Sequence, residues 1–122
     1  MIGYTTVGTN DLDKAVAFYD ALLGEIGANQ IMNDGRIVIY AQNPGEPMFA
    51  VCKPYDEQKA TNGNGTMIAL NVGSKEMAEK VYKKALELGG TDEGEPGSRG
   101  MVWGGYFRDL DQNKLFAFTM EG

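Results

Sequence analysis

The chain has no histidine, and only one cysteine, one tryptophan and four prolines among its 122 residues. The missing imidazole removes the commonest general base near neutral pH and the commonest nitrogen ligand for a metal ion. It also excludes Ser-His and Cys-His nucleophile pairs outright. The lone Cys52 cannot form an intrachain disulfide. On an apolar stretch, with Lys53 as its only basic neighbour, it reads as a buried and inert side chain. No run of 18 apolar residues occurs, so no membrane-spanning helix is expected. No basic and then apolar leader opens the chain, so no secretory signal is expected. Positive charge is scarce too: 11 Lys and Arg stand against 17 Asp and Glu, for a net charge of −6. That balance opposes binding to nucleic acid or to an anionic membrane, both of which call for a basic surface. The expectation is a soluble, cytoplasmic protein.

What the chain does have is a repeat. Residues 4–28 and 67–90 follow one plan: a short apolar-leaning stretch, a polar break, an amphipathic helix and a glycine. At an offset of 63, Ala15 falls on Ala78, Tyr19 on Tyr82, Leu23 on Leu86 and Gly27 on Gly90. The chain therefore reads as two copies of one supersecondary unit. Module 1 covers about 1–54, a polar glycine-bearing connector about 55–65, and module 2 about 66–122, all within a single domain.

Residues 2–8 read as a strand, with β-branched Thr5, Thr6 and Val7. Asn10 reads as the N-cap of a helix whose apolar stripe is Leu12, Ala15, Val16, Tyr19, Leu22 and Leu23, closed by Gly24 and Gly27. Three strands are expected near 26–32, 35–42 and 47–53, the first two joined at Asn33-Asp34-Gly35. The second copy has a strand at 66–72, Ser74 as cap of a helix over 75–88, and strands at 101–108 and 114–120. Between them, 91–100 reads as a loop with at most a short edge strand, because it carries three glycines and a proline. The order is βαβββ–βαβββ, an α+β pattern with a mixed sheet and helices on one side.

Two stretches carry a resemblance. One is Val7-Gly8-Thr9-Asn10-Asp11-Leu12-Asp13-Lys14-Ala15-Val16-Ala17-Phe18-Tyr19; the other is Tyr106-Phe107-Arg108-Asp109-Leu110-Asp111-Gln112-Asn113-Lys114-Leu115. With Gly63–Leu70 opening the second module, the chain resembles the vicinal oxygen chelate superfamily, which includes glyoxalase I, bleomycin-resistance proteins, fosfomycin-resistance enzymes and extradiol dioxygenases. The resemblance implies two tandem βαβββ modules forming a cup-shaped mixed sheet with the helices outside, and commonly a homodimer. It also implies metal ligands at four slots. Three fall on Tyr4, Met67 and Phe116, and the fourth on Phe49 or, two residues on, Val51. None of these offers a carboxylate, imidazole or thiolate. No metal or other cofactor is therefore expected, and the lyase, transferase and dioxygenase chemistries that need the ion as Lewis acid are not expected here.

The expected site is a small-molecule pocket lined by Tyr4, Thr6, Arg36, Phe49, Val51, Met67, Ala69, Trp103, Tyr106 and Phe116. Simple core filling explains the apolar members equally well. Of Trp103 and Tyr106, three residues apart on one strand, one is expected to line the cup, and Gly104-Gly105 suggests a bulge there. Arg36, Arg99 and Arg108 are the candidates to meet an anionic ligand, though each reads equally as a solvated surface charge or a local salt-bridge partner, and Arg108 beside Asp109 as a structural residue. Asp109, Asp111 and Asn113 read as a turn that caps its own backbone rather than as a calcium loop. The leading function is metal-free binding of a small organic molecule. The alternative is a metal-independent enzyme, with Tyr4, Tyr40, Tyr106, Lys53, Glu46 or Asp34 as its acid or base.

Overall fold

The structure, a computed structural model, describes residues 1–121. Ten elements follow one another: β1 (Tyr4–Gly8), α1 (Leu12–Gly24), β2 (Asn29–Asn33), β3 (Ile37–Ala41), β4 (Met48–Cys52), β5 (Ile68–Asn71), α2 (Lys75–Glu87), β6 (Thr91–Arg99), β7 (Val102–Arg108) and β8 (Lys114–Met120). This is the βαβββ unit twice. Both helices are 13 residues long, and each end of α2 lies 63 residues after its counterpart in α1, at Leu12 and Lys75 and at Gly24 and Glu87.

Hydrogen bonding divides the strands into two four-stranded sheets, ordered β1-β4-β3-β2 and β5-β8-β7-β6. In each, the strand before the helix pairs in parallel with the last strand of its module, and the remaining pairs are antiparallel. The helix makes the crossover that a parallel pair requires. No helix among the described residues is long and apolar enough to cross a membrane.

Two local expectations are corrected. The N-cap of α1 is Asp11, not Asn10: Asp11 is extended, and its carboxylate accepts from the Lys14 backbone N–H. Asn10 instead ties down the connector, its side chain exchanging hydrogen bonds with Ala60. In the second correction, 91–99 is a full strand. Its glycines and proline sit in two register shifts against β7, between Asp92 and Gly94 and between Gly94 and Gly97. Bulges of this kind absorb residues that a regular strand would reject. β7, for its part, pairs with β8 without interruption, so the irregularity expected at Gly104-Gly105 lies on the neighbouring strand.

Strand alternation sorts each sheet into two faces. Val7, Val38, Tyr40, Phe49, Val51, Phe107, Leu115 and Ala117 lie toward the helices, in one core with Leu12, Phe18, Tyr19, Leu22, Val81 and Ala85. Burying a side chain the size of Phe18 in such a core contributes about 1.5–3 kcal/mol. The other face of each sheet, the open face, carries no helix.

Candidate functional site

The pairing registers superpose the two open faces residue by residue. In sheet one, Tyr4 lies beside Met48, Thr6 beside Ala50 and Gly8 beside Cys52. In sheet two, Ala69 lies beside Phe116 and Asn71 beside Phe118. Because the helices fix the offset at 63, Thr6 corresponds to Ala69, and Ala50 therefore to Phe116. The next strands extend the match: Ile39 beside Ala50 corresponds to Tyr106 beside Phe116, and Ile37 beside Cys52 to Gly104 beside Phe118.

This register moves the fourth slot implied by the resemblance. It falls on Ala50, between the two residues expected from sequence. Phe49 and Val51 point to the helices, where Phe49 packs against Tyr19 at 4.9 Å between ring centroids. Ala50, Tyr4, Met67 and Phe116 hold a methyl, a phenol, a thioether and a phenyl group. Among the described residues, no group of three or more Cys, Asp or Glu side chains converges. The side chains present do not fit a bound divalent ion, whose ligands are carboxylates, imidazoles or thiolates.

The other expected residues separate. Tyr4 and Thr6 are exposed on the open face of sheet one, with Tyr4 at 52%. Met67, at 39%, just precedes β5, and Ala69 is exposed on the open face of sheet two. Tyr106 and Phe116 stack with their ring centroids 4.0 Å apart, and Phe118 continues the stack at 5.4 Å. Trp103 faces the helices, with the ammonium of Lys75 over its ring. The Arg36 guanidinium donates to the Lys53 carbonyl at 2.9 Å and lies over the exposed ring of Tyr55. Between the free edges of β1 and β5 runs a groove of about 570 Å³ whose walls include Thr5, Tyr40, Phe49, Met67 and Ala69. Three of the expected residues thus meet there, although Phe49 reaches it from the helix side.

Alternation around Phe116 was the unused signal. Lys114 and Phe118, two residues to either side, share its face. Lys114 brings its ammonium to 4.9 Å from the Tyr106 ring centroid, and the Arg99 guanidinium lies 5.2 Å from the same centroid.

The strongly shifted phenols lie elsewhere. Burial, and then the charge of Asp109, pushes Tyr19 well above its ordinary value. Tyr40 is also pushed well up, by burial and its hydrogen bond to Asp20. Tyr82 is raised to about 12 by burial and by Asp92. All three are on the helix side, and a raised phenol pKa makes a poor acid at neutral pH.

A sequence model of the Glyoxalase/Bleomycin resistance protein/Dioxygenase superfamily matches residues 1–115. Among solved structures, a glyoxalase/bleomycin resistance protein from Albidiferax ferrireducens T118 is 33% identical with a TM-score of 0.92, the match covering 99% of each chain. A glyoxalase/bleomycin resistance protein/dioxygenase family enzyme from Burkholderia phytofirmans PsJN has a TM-score of 0.77 at 16% identity, covering 98% of each chain. A lactoylglutathione lyase from Agrobacterium tumefaciens has a TM-score of 0.70 at 17% identity, covering 98% of this chain and 92% of that one. The last two likenesses concern the fold alone. A search of curated proteins returns no match.

Proposed function

We propose that this chain, which belongs to the Glyoxalase/Bleomycin resistance protein/Dioxygenase superfamily, binds a small organic molecule on the open faces of its sheets without a metal ion. One observation carries the reading. The four equivalent positions where the superfamily resemblance implies metal ligands are Tyr4, Ala50, Met67 and Phe116, and two of them, Tyr4 and Met67, are large, apolar-bodied and more than one-third exposed. A surface of this kind gains free energy when an apolar ligand covers it, at about 25 cal/mol per Å². Exposed Ile31, Met32 and Met120 extend the uncovered apolar surface, which supports a homodimer in which a second copy completes the site. A cytoplasmic location accords with this reading. The phenols with raised pKa values lie on the helix side of the sheets, away from the open faces, which favours binding over acid–base catalysis.

A thermal-shift screen of small amphipathic molecules tests the proposal. A ligand present at a hundred times its Kd should add about 2.7 kcal/mol, on the order of 10 °C, and be recovered unchanged. Tyr4→Glu and Met67→Glu should each abolish the shift, while chelator leaves it intact. A shift that persists in both variants, or a ligand that is consumed, overturns the reading.

A further inference from the structure

The open face of sheet two is not simply apolar. In an acidic chain it gathers two positive charges around one ring: the Arg99 guanidinium and the Lys114 ammonium both lie within 5.2 Å of the Tyr106 centroid. Neither meets a carboxylate in any ion pair among the described residues. Of the carboxylates on the neighbouring strand, Glu93 holds Arg108 at 2.9 Å, and Glu95 enters no ion pair among the described residues.

Arg99 is also held in place. Its two terminal nitrogens donate to the carbonyls of Gly97 at 3.2 Å and Glu95 at 2.7 Å. Its guanidinium occupies space that a side chain at position 94 would need, since a Cβ there would come within 3.0 Å of it. Neutral carbonyls fix its position and leave its charge uncompensated. Beside the two cations runs the aromatic ladder of Tyr106, Phe116 and Phe118, in which Phe116 is buried and the outer rings, Tyr106 and Phe118, are half-buried. Two like charges held about one ring without a counter-ion repel each other, and an anion that reaches both relieves that cost.

We infer that this face takes a planar organic anion, an aromatic carboxylate, with its ring against the ladder and its carboxylate between Arg99 and Lys114. The inference rests on the reading of the open faces as ligand-binding, and it adds the ligand's charge and shape. Charge-assisted hydrogen bonds to guanidinium and ammonium supply the selectivity, and aromatic contact with the half-buried rings of Tyr106 and Phe118 supplies the apolar part.

Calorimetric titration of the full chain with 1-naphthoate and with its neutral counterpart 1-naphthamide tests this. The acid should bind at least about tenfold more tightly than the amide. Lys114→Met and Arg99→Met should each remove most of that preference, weakening the acid far more than the amide, and Lys114→Arg should retain it. Raising the salt concentration should weaken the acid alone. Circular dichroism confirms that each variant is folded. Equal affinity for acid and amide, or a preference that survives both methionine variants, overturns the anion inference and leaves the broader binding proposal standing. If neither compound binds, the inference falls together with an aromatic-binding role for this face.

Discussion

Tyr19 and Tyr82 stand at the same place in the two repeats, each on the apolar stripe of its helix and each donating its hydroxyl to an aspartate. Their partners differ. Tyr82 reaches Asp92 in its own module at 2.7 Å. Tyr19, with no exposed surface, reaches across to Asp109 in the other module. Asp109 in turn accepts from the Asp111 and Asn113 backbone N–H groups and from the Asn113 side chain, each at 2.9 Å. Asn113 also donates to the Gly8 carbonyl in module 1. The duplication kept the tyrosine, but one copy braces its own sheet while the other locks the two modules together. The helix stripes match this division. That of α1 includes Leu12, Phe18, Leu22 and Leu23, while α2 buries Ala78, Val81, Tyr82 and Ala85.

The carboxylates show the same contrast. The Tyr82 hydroxyl and the Gly94 N–H hold Asp92 below the usual carboxylate range. Burial pushes Asp109 up, against the pull of its four donors. Asp92 therefore adds stability above its unfolded pKa, and that stability is lost as pH falls through its folded pKa. The raised pKa of Asp109 works in the opposite sense: folding costs more once the group ionises, and acidification relieves the cost.

The comparison can be broken most forcefully at Asp109. Asp109→Ala strands the buried Tyr19 hydroxyl and Asn113 amide and should cost about 4 kcal/mol in urea unfolding, whereas Asp92→Ala, at the surface, should move the midpoint only slightly. Equal losses would mean that the inter-module lock is not special. Gly104→Ala should cost about 2–3 kcal/mol, because the new methyl runs into the Ala117 carbonyl and comes within 2.8 Å of Phe118 Cα, both backbone. Its counterpart in module 1 is Ile37, so the close approach of the β8 backbone at this position is particular to module 2. Tyr19→Phe should lose about 2 kcal/mol and Tyr82→Phe under about 1 kcal/mol. A pH series of melting temperatures sharpens the point further. From neutrality down through the carboxylate range, the deficit of Asp109→Asn relative to the parent should widen, and that of Asp92→Asn should narrow. At the small end, Gly24→Ala should stabilise by about 0.5 kcal/mol. No atom lies within 4 Å of the added methyl, and the same helical position in α2 already holds Glu87.

Much of the fold was legible because its signals are local. The helix stripes, the Ser74 cap and the Asn33-Asp34-Gly35 turn each lie within a few residues, and each found its place in the structure. The repeated glycines were legible as a pair but not in their causes. Gly27 adopts a positive φ of 76°, whereas Gly90 is needed because a Cβ would come within 2.6 Å of the Arg108 carbonyl and 2.8 Å of that of Ala85. The strand at 91–99 was hidden because its bulges are stabilised by β7, a partner that no local pattern reveals.

The site divides in the same way. Sequence alone determined which side chains stand at Tyr4, Met67 and Phe116, and that no histidine exists anywhere to replace them. It also determined that two modules recur at an offset of 63, since helical periodicity and turn chemistry are written residue by residue. Only the tertiary structure decided which face each strand residue occupies. A single-residue change of register exchanges the faces, and register is fixed by pairing between strands distant in the chain. That pairing put Ala50 in place of Phe49, turned Trp103 toward the helices, and gathered Arg99, Lys114 and the aromatic ladder onto one face.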